Sequence, residues 1–285
     1  MTYLKGIAIL AMINAISAVG LAVFTGFTGM MSLGHAAFMA VGAYTCAIAT
    51  KTFGLPFLLA LPLAGLVAGL SSLLIGIPTL RANLRSDYFT IATLGFGEAM
   101  RVLLENLTIT NGARGMAGLK NHSTFGVTLA VLVLVIFFAK NFVFSRYGRM
   151  AIAIREDPVA AELSGIGLFP VRLRSMFFSA VCAGIGGALM AHHIRFIQPS
   201  MFTGVQSTLL TATVVAGGMG SLTGPVLAAF LFAFVPELLR VADMWRLVAY
   251  GALLVAIIVL RPQGLMGYRE LSLRRPSGRR RAPNG

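Results

Sequence analysis

Charge is what this sequence has least of. Only 11% of its 285 residues are Asp, Glu, Lys or Arg, and just 9 are acidic, against roughly 25% charged residues in a water-soluble domain. Cysteine is as scarce. Cys46 and Cys182 both sit inside apolar runs, which argues against a disulfide framework and leaves them as small buried apolar residues. The chain also lacks a G-x-x-x-x-G-K-[ST] phosphate loop, an H-E-x-x-H helix and a paired-cysteine metal motif. No catalytic residue, metal or cofactor is therefore expected. An intramembrane enzyme would need a nucleophile, base or metal ligands converging within its spans, and none can be assembled.

What is abundant is apolar sequence: 57% hydrophobic residues and a mean hydropathy of +0.85. A span needs about 20 apolar residues to cross about 30 Å of hydrocarbon. The candidates are 6–26, 34–51, 56–79, 88–106, 124–140, 173–195, 205–217, 222–239 and 244–260. The expected fold is an all-α, polytopic transmembrane helix bundle of about nine membrane segments, broken or half helices among them; 205–217 is short and reads as a half-helix paired with 222–239. No A-x-A cleavage site follows the first run, which reads as a retained span rather than a signal peptide. The 32 glycines suit close helix approach in lipid, and Gly184, Gly186 and Gly187 form one such small-residue face.

The net charge of +14 flanks these runs instead of forming the basic stripe of a nucleic-acid binder. Lys140, Arg146, Arg149, Arg155, Arg172 and Arg174 fill one inter-span loop, and Arg261, Arg269 and Arg274 lead a basic tail. By the positive-inside rule both are cytoplasmic, which puts the N-terminus outside, against the hint of Lys5. Residues 1–268 are read as the membrane domain and 269–285 as a disordered basic tail.

The largest polar island within the chain is 142–174. Asp157 before Pro158 is an N-cap followed by proline at the first helical position, and Gly165 supplies a left-handed C-cap. A short capped helix is predicted between them. A rigid helix of this kind can seat in a partner's groove.

Here the residues meet a known pattern. Val159-Ala160-Ala161-Glu162-Leu163-Ser164-Gly165 resembles the EAA-x-x-x-G coupling loop of ABC importer permeases, with Val159 in place of the leading Glu. Ser32-Leu33-Gly34-His35-Ala36-Ala37-Phe38 with Gly42-Ala43-Tyr44 resembles the SLGHAAF…GAY signature of branched-chain amino-acid permeases of the LivM type. So do Arg85 to Phe89 with Thr93-Leu94-Gly95-Phe96-Gly97-Glu98, then Gly217-Gly218-Met219-Gly220-Ser221, then Arg261-Pro262-Gln263-Gly264-Leu265. The resemblance covers nearly the whole chain. It implies import of leucine, isoleucine or valine across a bacterial inner membrane. It also implies a second homologous permease, two ATP-binding subunits, a solute-binding protein and no nucleic acid. Arg155, Glu156, Asp157, Val159, Ala160, Ala161, Glu162 and Gly165 would couple to the ATPases. Two alternatives stand beside this reading: a permease of the same family for urea or short amides, and an ion-coupled secondary transporter with Glu98 on the ion path.

Two glycine- and hydroxyl-rich stretches, 26–34 and 216–225, interrupt the apolar sequence and share Gly-Met-x-Ser-Leu at 29–33 and 218–222, an echo that fits an internal repeat. They read either as surface turns or as non-helical backbone at membrane depth, which survives only inside protein or along a water-filled cavity. Ser32, Gly34, His35, Thr93, Glu98, Gly218 and Ser221 are the candidates for a translocation path. His35 is expected to pack or hydrogen-bond rather than carry protons. Glu98 and Arg101, three apart, share a helix face and can pair.

Overall fold

The computed structural model describes residues 2–82 and 84–238, with 251–252, 255, 259–261 and 264–267. The described residues form ten α-helices: α1 Thr2–Leu21, α2 His35–Lys51, α3 Phe57–Arg81, α4 Ser86–Asn106, α5 Phe125–Phe144, α6 Arg146–Glu156, α7 Pro158–Leu163, α8 Leu168–Ile194, α9 Gly204–Gly217 and α10 Thr223–Leu238. The fold is all-α, as expected. The expected span 244–260 lies largely, and the tail 269–285 entirely, outside the described residues.

Among the described residues, four segments are long and apolar enough to cross a membrane: Tyr3–Gly26, Phe57–Arg81, Phe125–Phe144 and Leu168–Ile194. Their outer faces show the solvent. Leu66, Leu70 and Leu74 on α3, and Val133 and Phe137 on α5, repeat at helical spacing and are exposed. In water such a surface would be an aggregation or docking patch; against hydrocarbon it is in its own medium.

The bundle is organised around α8, which packs on α1, α2 and α3; α1 packs in turn on α5 and α10, and α10 on α9. Missing side chains allow this. A Cβ at Gly187 would overlap the Met39 carbonyl of α2, one at Gly42 would overlap Gly184, and one at Gly184 would overlap Ala68 of α3. Backbones approach here because small residues line the seam. Cys46 and Cys182 are free and buried in the same packing.

Two features were not legible in the sequence. Helix α8 starts at Leu168, five residues before the expected span, because Pro170 is tolerated in a first turn and helicity does not stop where hydropathy does. A minimal antiparallel pair also joins β1 (Met116–Ala117) to β2 (Phe196–Ile197). It ties the 107–124 loop to the chain after α8, at the end of the bundle opposite α7.

Candidate functional site: two helix breaks and a capped helix

The chain leaves α1 through a single π-helical turn, Ala22–Gly26, and runs non-helical from Gly29 to Gly34 before α2 begins. Gly29 takes φ +72°, a conformation that glycine adopts without steric cost. The break is buried over most of its length, with Gly29 and Met31 exposed. Ser32, Gly34 and His35 are buried, and Ser32 and His35 have no exposed surface.

Backbone donors at the start of a helix need partners, and where they are buried water cannot serve. Two other helices and the break's own Ser32 supply them. The Leu33 N–H donates to Thr93 Oγ1 of α4 at 3.2 Å, the Ala36 N–H to Ser207 Oγ of α9 at 2.9 Å, and the Gly34 N–H to Ser32 Oγ at 3.4 Å. Thr211 Oγ1 of α9 donates to the Ser32 carbonyl at 3.3 Å. His35 closes the knot, with Nδ1 3.1 Å from Ser32 Oγ and Nε2 2.6 Å from Ser179 Oγ of α8. In either neutral tautomer one ring nitrogen donates and the other accepts, and a serine hydroxyl can answer both. Phe38 meets the imidazole edge-on at 5.5 Å.

The second break has the same parts. Gly218 takes φ +110°, and three residues later Ser221 Oγ accepts from the Gly224 N–H at 3.1 Å, opening α10. In both breaks a positive-φ glycine precedes, by three residues, a serine whose hydroxyl accepts from a backbone N–H two or three residues further on. The breaks also touch: a Cβ at Gly26 would strike the Met219 carbonyl. The Gly264-Leu265 motif lies against this break. Leu265 and Met266 N–H groups donate to the Ala216 and Gly217 carbonyls at 2.8 and 3.1 Å, and Gly264 sits on Gly218.

The capped helix is α7. Asp157 Oδ1 accepts from the Val159 and Ala160 N–H groups at 2.9 and 3.0 Å. At the other end Gly165, at φ +80°, donates to Glu162 O at 2.9 Å and Ile166 to Ala161 O at 3.0 Å, the paired bonds of a Schellman cap. Ala161 is buried beneath, whereas Val159 and Leu163, one turn apart, are 67% and 85% exposed, with exposed Glu162 beside them. Arg155, two residues before Asp157, reaches the first break: its Nη1 donates to the Gly26 carbonyl at 2.9 Å and its Nη2 to Glu156 Oε1 at 2.6 Å.

Glu98 lies apart from the knot. Its carboxylate takes Arg101 Nε at 2.8 Å and the Gly204 N–H, at the start of α9, at 3.3 Å, while Arg101 Nη1 also binds Glu105. The structure thus gathers Ser32, Gly34, His35 and Thr93 at one point, sets Gly218 and Ser221 at the adjoining break, and leaves Glu98 in an ion-pair ladder on α4. Sequence reasoning missed Ser179, Ser207, Thr211 and Glu105. Their one local signal is a hydroxyl in an apolar helix, or an acid four residues beyond Arg101.

Comparison with known proteins decides the family. Residues 3–259 match the family model described as branched-chain amino acid transport system / permease component. The chain belongs to this family. The permease is 35% identical to the high-affinity branched-chain amino acid transport system permease protein LivM of Escherichia coli, over 95% of this chain and 72% of that one. It is 24% identical to a probable LivH of Methanocaldococcus jannaschii, over 95% and 94%. Among solved structures it is similar to PsaBC from Streptococcus pneumoniae in complex with Fab, at a TM-score of 0.54 and 14% identity over 92% of this chain and 93% of that one, a likeness of fold. The permease is a multi-pass membrane protein and a transport subunit rather than an enzyme.

Proposed function

We propose that this permease carries leucine, isoleucine and valine inward across a bacterial inner membrane, received from a solute-binding protein. It works beside a second homologous permease and two ATP-binding subunits. In this reading 1–268 is the permease domain, 142–174 is its cytoplasmic coupling region, and 269–285 is a cytoplasmic basic tail.

The observation that carries the reading is the bond from Arg155 to Gly26. Val159, Leu163 and Glu162 form the exposed face of a helix rigid at both ends, fit to seat in a groove of an ATPase. Closure of the ATPases would displace α7, and Arg155 would pass that displacement to the Gly26 carbonyl. From there it reaches the Met219 backbone and the foot of α2. Ser32, Gly34, His35 and Thr93 hold the break as a unit, so it moves as a body, and Gly218 and Ser221 shape its neighbour. Glu156 and Ala160 belong to the same coupling surface. At the opposite end, Arg114 in the 107–124 loop is exposed and suits an acidic patch on the binding protein.

The test is uptake of labelled leucine by energised cells with and without the gene, with isoleucine, valine and urea as unlabelled competitors. Loss of saturable uptake on deletion, with competition by the branched-chain amino acids, is the expected result. Competition by urea or a short amide alone would replace the substrate and leave the transport role standing.

A further inference from the structure

Helices α3, α5, α6 and α8 leave a groove of about 410 Å³ near the α7 end of the bundle. Its walls are carbon: Leu73 of α3, Phe142 of α5, and Leu173, Phe177 and Phe178 of α8. Phe142 and Phe178 stack with centroids 5.1 Å apart, which fixes one wall. The remaining lining residues, Tyr147 and Arg174, are both exposed, and the Arg174 guanidinium lies 4.3 Å over the Tyr147 ring. Arg146 is exposed beside Tyr147. Neither arginine has a carboxylate partner among the described residues.

We propose that this groove binds an anionic phospholipid, with an acyl chain along the α3–α5–α8 walls and the phosphodiester on Arg174. Three observations select that occupant. The groove continues the exposed apolar surface of α3 and α5, since Leu74 and Phe138 flank Leu73 and Phe142 and are exposed; its neighbour is therefore lipid. The Tyr147 ring beneath it holds the guanidinium in place, and its N–H groups, without a carboxylate partner among the described residues, are left for oxygen acceptors such as phosphate. The local charge is positive and uncompensated, so a headgroup with its own ammonium places a further cation beside two arginines, whereas a net-negative headgroup neutralises one. The inference is independent of which solute the permease carries.

The test uses the transporter complex containing the full chain, stripped of lipid and titrated with phosphatidylglycerol or phosphatidylcholine, with bound lipid counted by native mass spectrometry. Phosphatidylglycerol is expected to bind about fivefold more tightly, the factor one well-placed arginine supplies. Arg174→Gln should abolish the preference while keeping chain binding, and Arg174→Lys should keep part of it. Leu173→Trp, which fills the groove, should remove both lipids. Equal binding of the two lipids to the wild type, an unchanged preference in Arg174→Gln, or no lipid bound because another subunit covers the groove would each overturn the proposal.

Discussion

Arg155 and Gly26 stand 129 residues apart in sequence, yet the Arg155 guanidinium donates to the Gly26 carbonyl at 2.9 Å. The aliphatic stem of Arg155 lies against Gly29, where an added Cβ would come within 3.2 Å of its Cγ. One side chain therefore touches both ends of the turn leading out of α1, two residues upstream of the cap of α7. Gly26 in turn has no room for a Cβ because the Met219 carbonyl occupies that space. The capped helix and the two breaks form one mechanical unit.

Arg155→Ala removes the link without touching either cap of α7. Leucine uptake by the reconstituted complex should fall about tenfold, the factor represented by a charged hydrogen bond of about 1.5 kcal/mol, while ATP hydrolysis continues. Arg155→Lys should recover part of the coupling. Uptake and hydrolysis that fall together would instead place Arg155 in folding or assembly.

The caps of α7 make a second prediction. A Cβ at Gly165 meets nothing within 4 Å, so a substitution there is penalised through the backbone alone, by about 1–2 kcal/mol for a residue forced into the left-handed region. Gly165→Val should uncouple hydrolysis from uptake with membrane insertion intact, and Gly165→Asn, which tolerates that conformation, should be milder. Asp157→Ala exposes two N–H donors at the other end and should cost about 1 kcal/mol of local stability, read as faster amide exchange across α7. Normal coupled uptake in Gly165→Val would remove α7 from the coupling role.

What the sequence showed and what it hid divide along the same line as local and distant contacts. Asp157, Pro158 and Gly165 announce α7 because capping is settled within a few residues. Gly29, Ser32, Gly218 and Ser221 announce the breaks for the same reason. Nothing near His35 names Ser179, which lies 144 residues on, and nothing near Ala36 names Ser207. Hydropathy also placed the start of α8 too late, because it reads Arg172 and Arg174 as loop although both are helical.

The His35 knot yields a third prediction. His35→Ala strands the buried Ser179 hydroxyl, an unsatisfied group costing about 1–3 kcal/mol, leaves Ser32 Oγ with only its bond from the Gly34 N–H, and opens space beside Phe38. Thermal unfolding of the purified chain should shift down by several degrees. In the double variant with Ser179→Ala the two losses should sum to clearly less than their separate values, since they remove one shared bond. Additive losses would show that the 2.6 Å contact carries no coupling.

Glu98 discriminates between driving forces. A carboxylate that conducts ions must exchange partners during the cycle, and an intramembrane acid is the natural place to look for one. Glu98 is instead committed: it holds Arg101, it accepts from the Gly204 N–H at the start of α9, and Arg101 is shared with Glu105. Glu98→Gln keeps the shape and an acceptor for Gly204, and Arg101 keeps Glu105. Since partly exposed ion pairs contribute little, uptake should stay within about fivefold of wild type. It should remain dependent on ATP and indifferent to an uncoupler so long as ATP is maintained. If Glu98→Gln abolished uptake while the complex assembled normally, and wild-type uptake collapsed with the uncoupler at constant ATP, the ladder would be an ion path and the ATP-driven reading would fall with it.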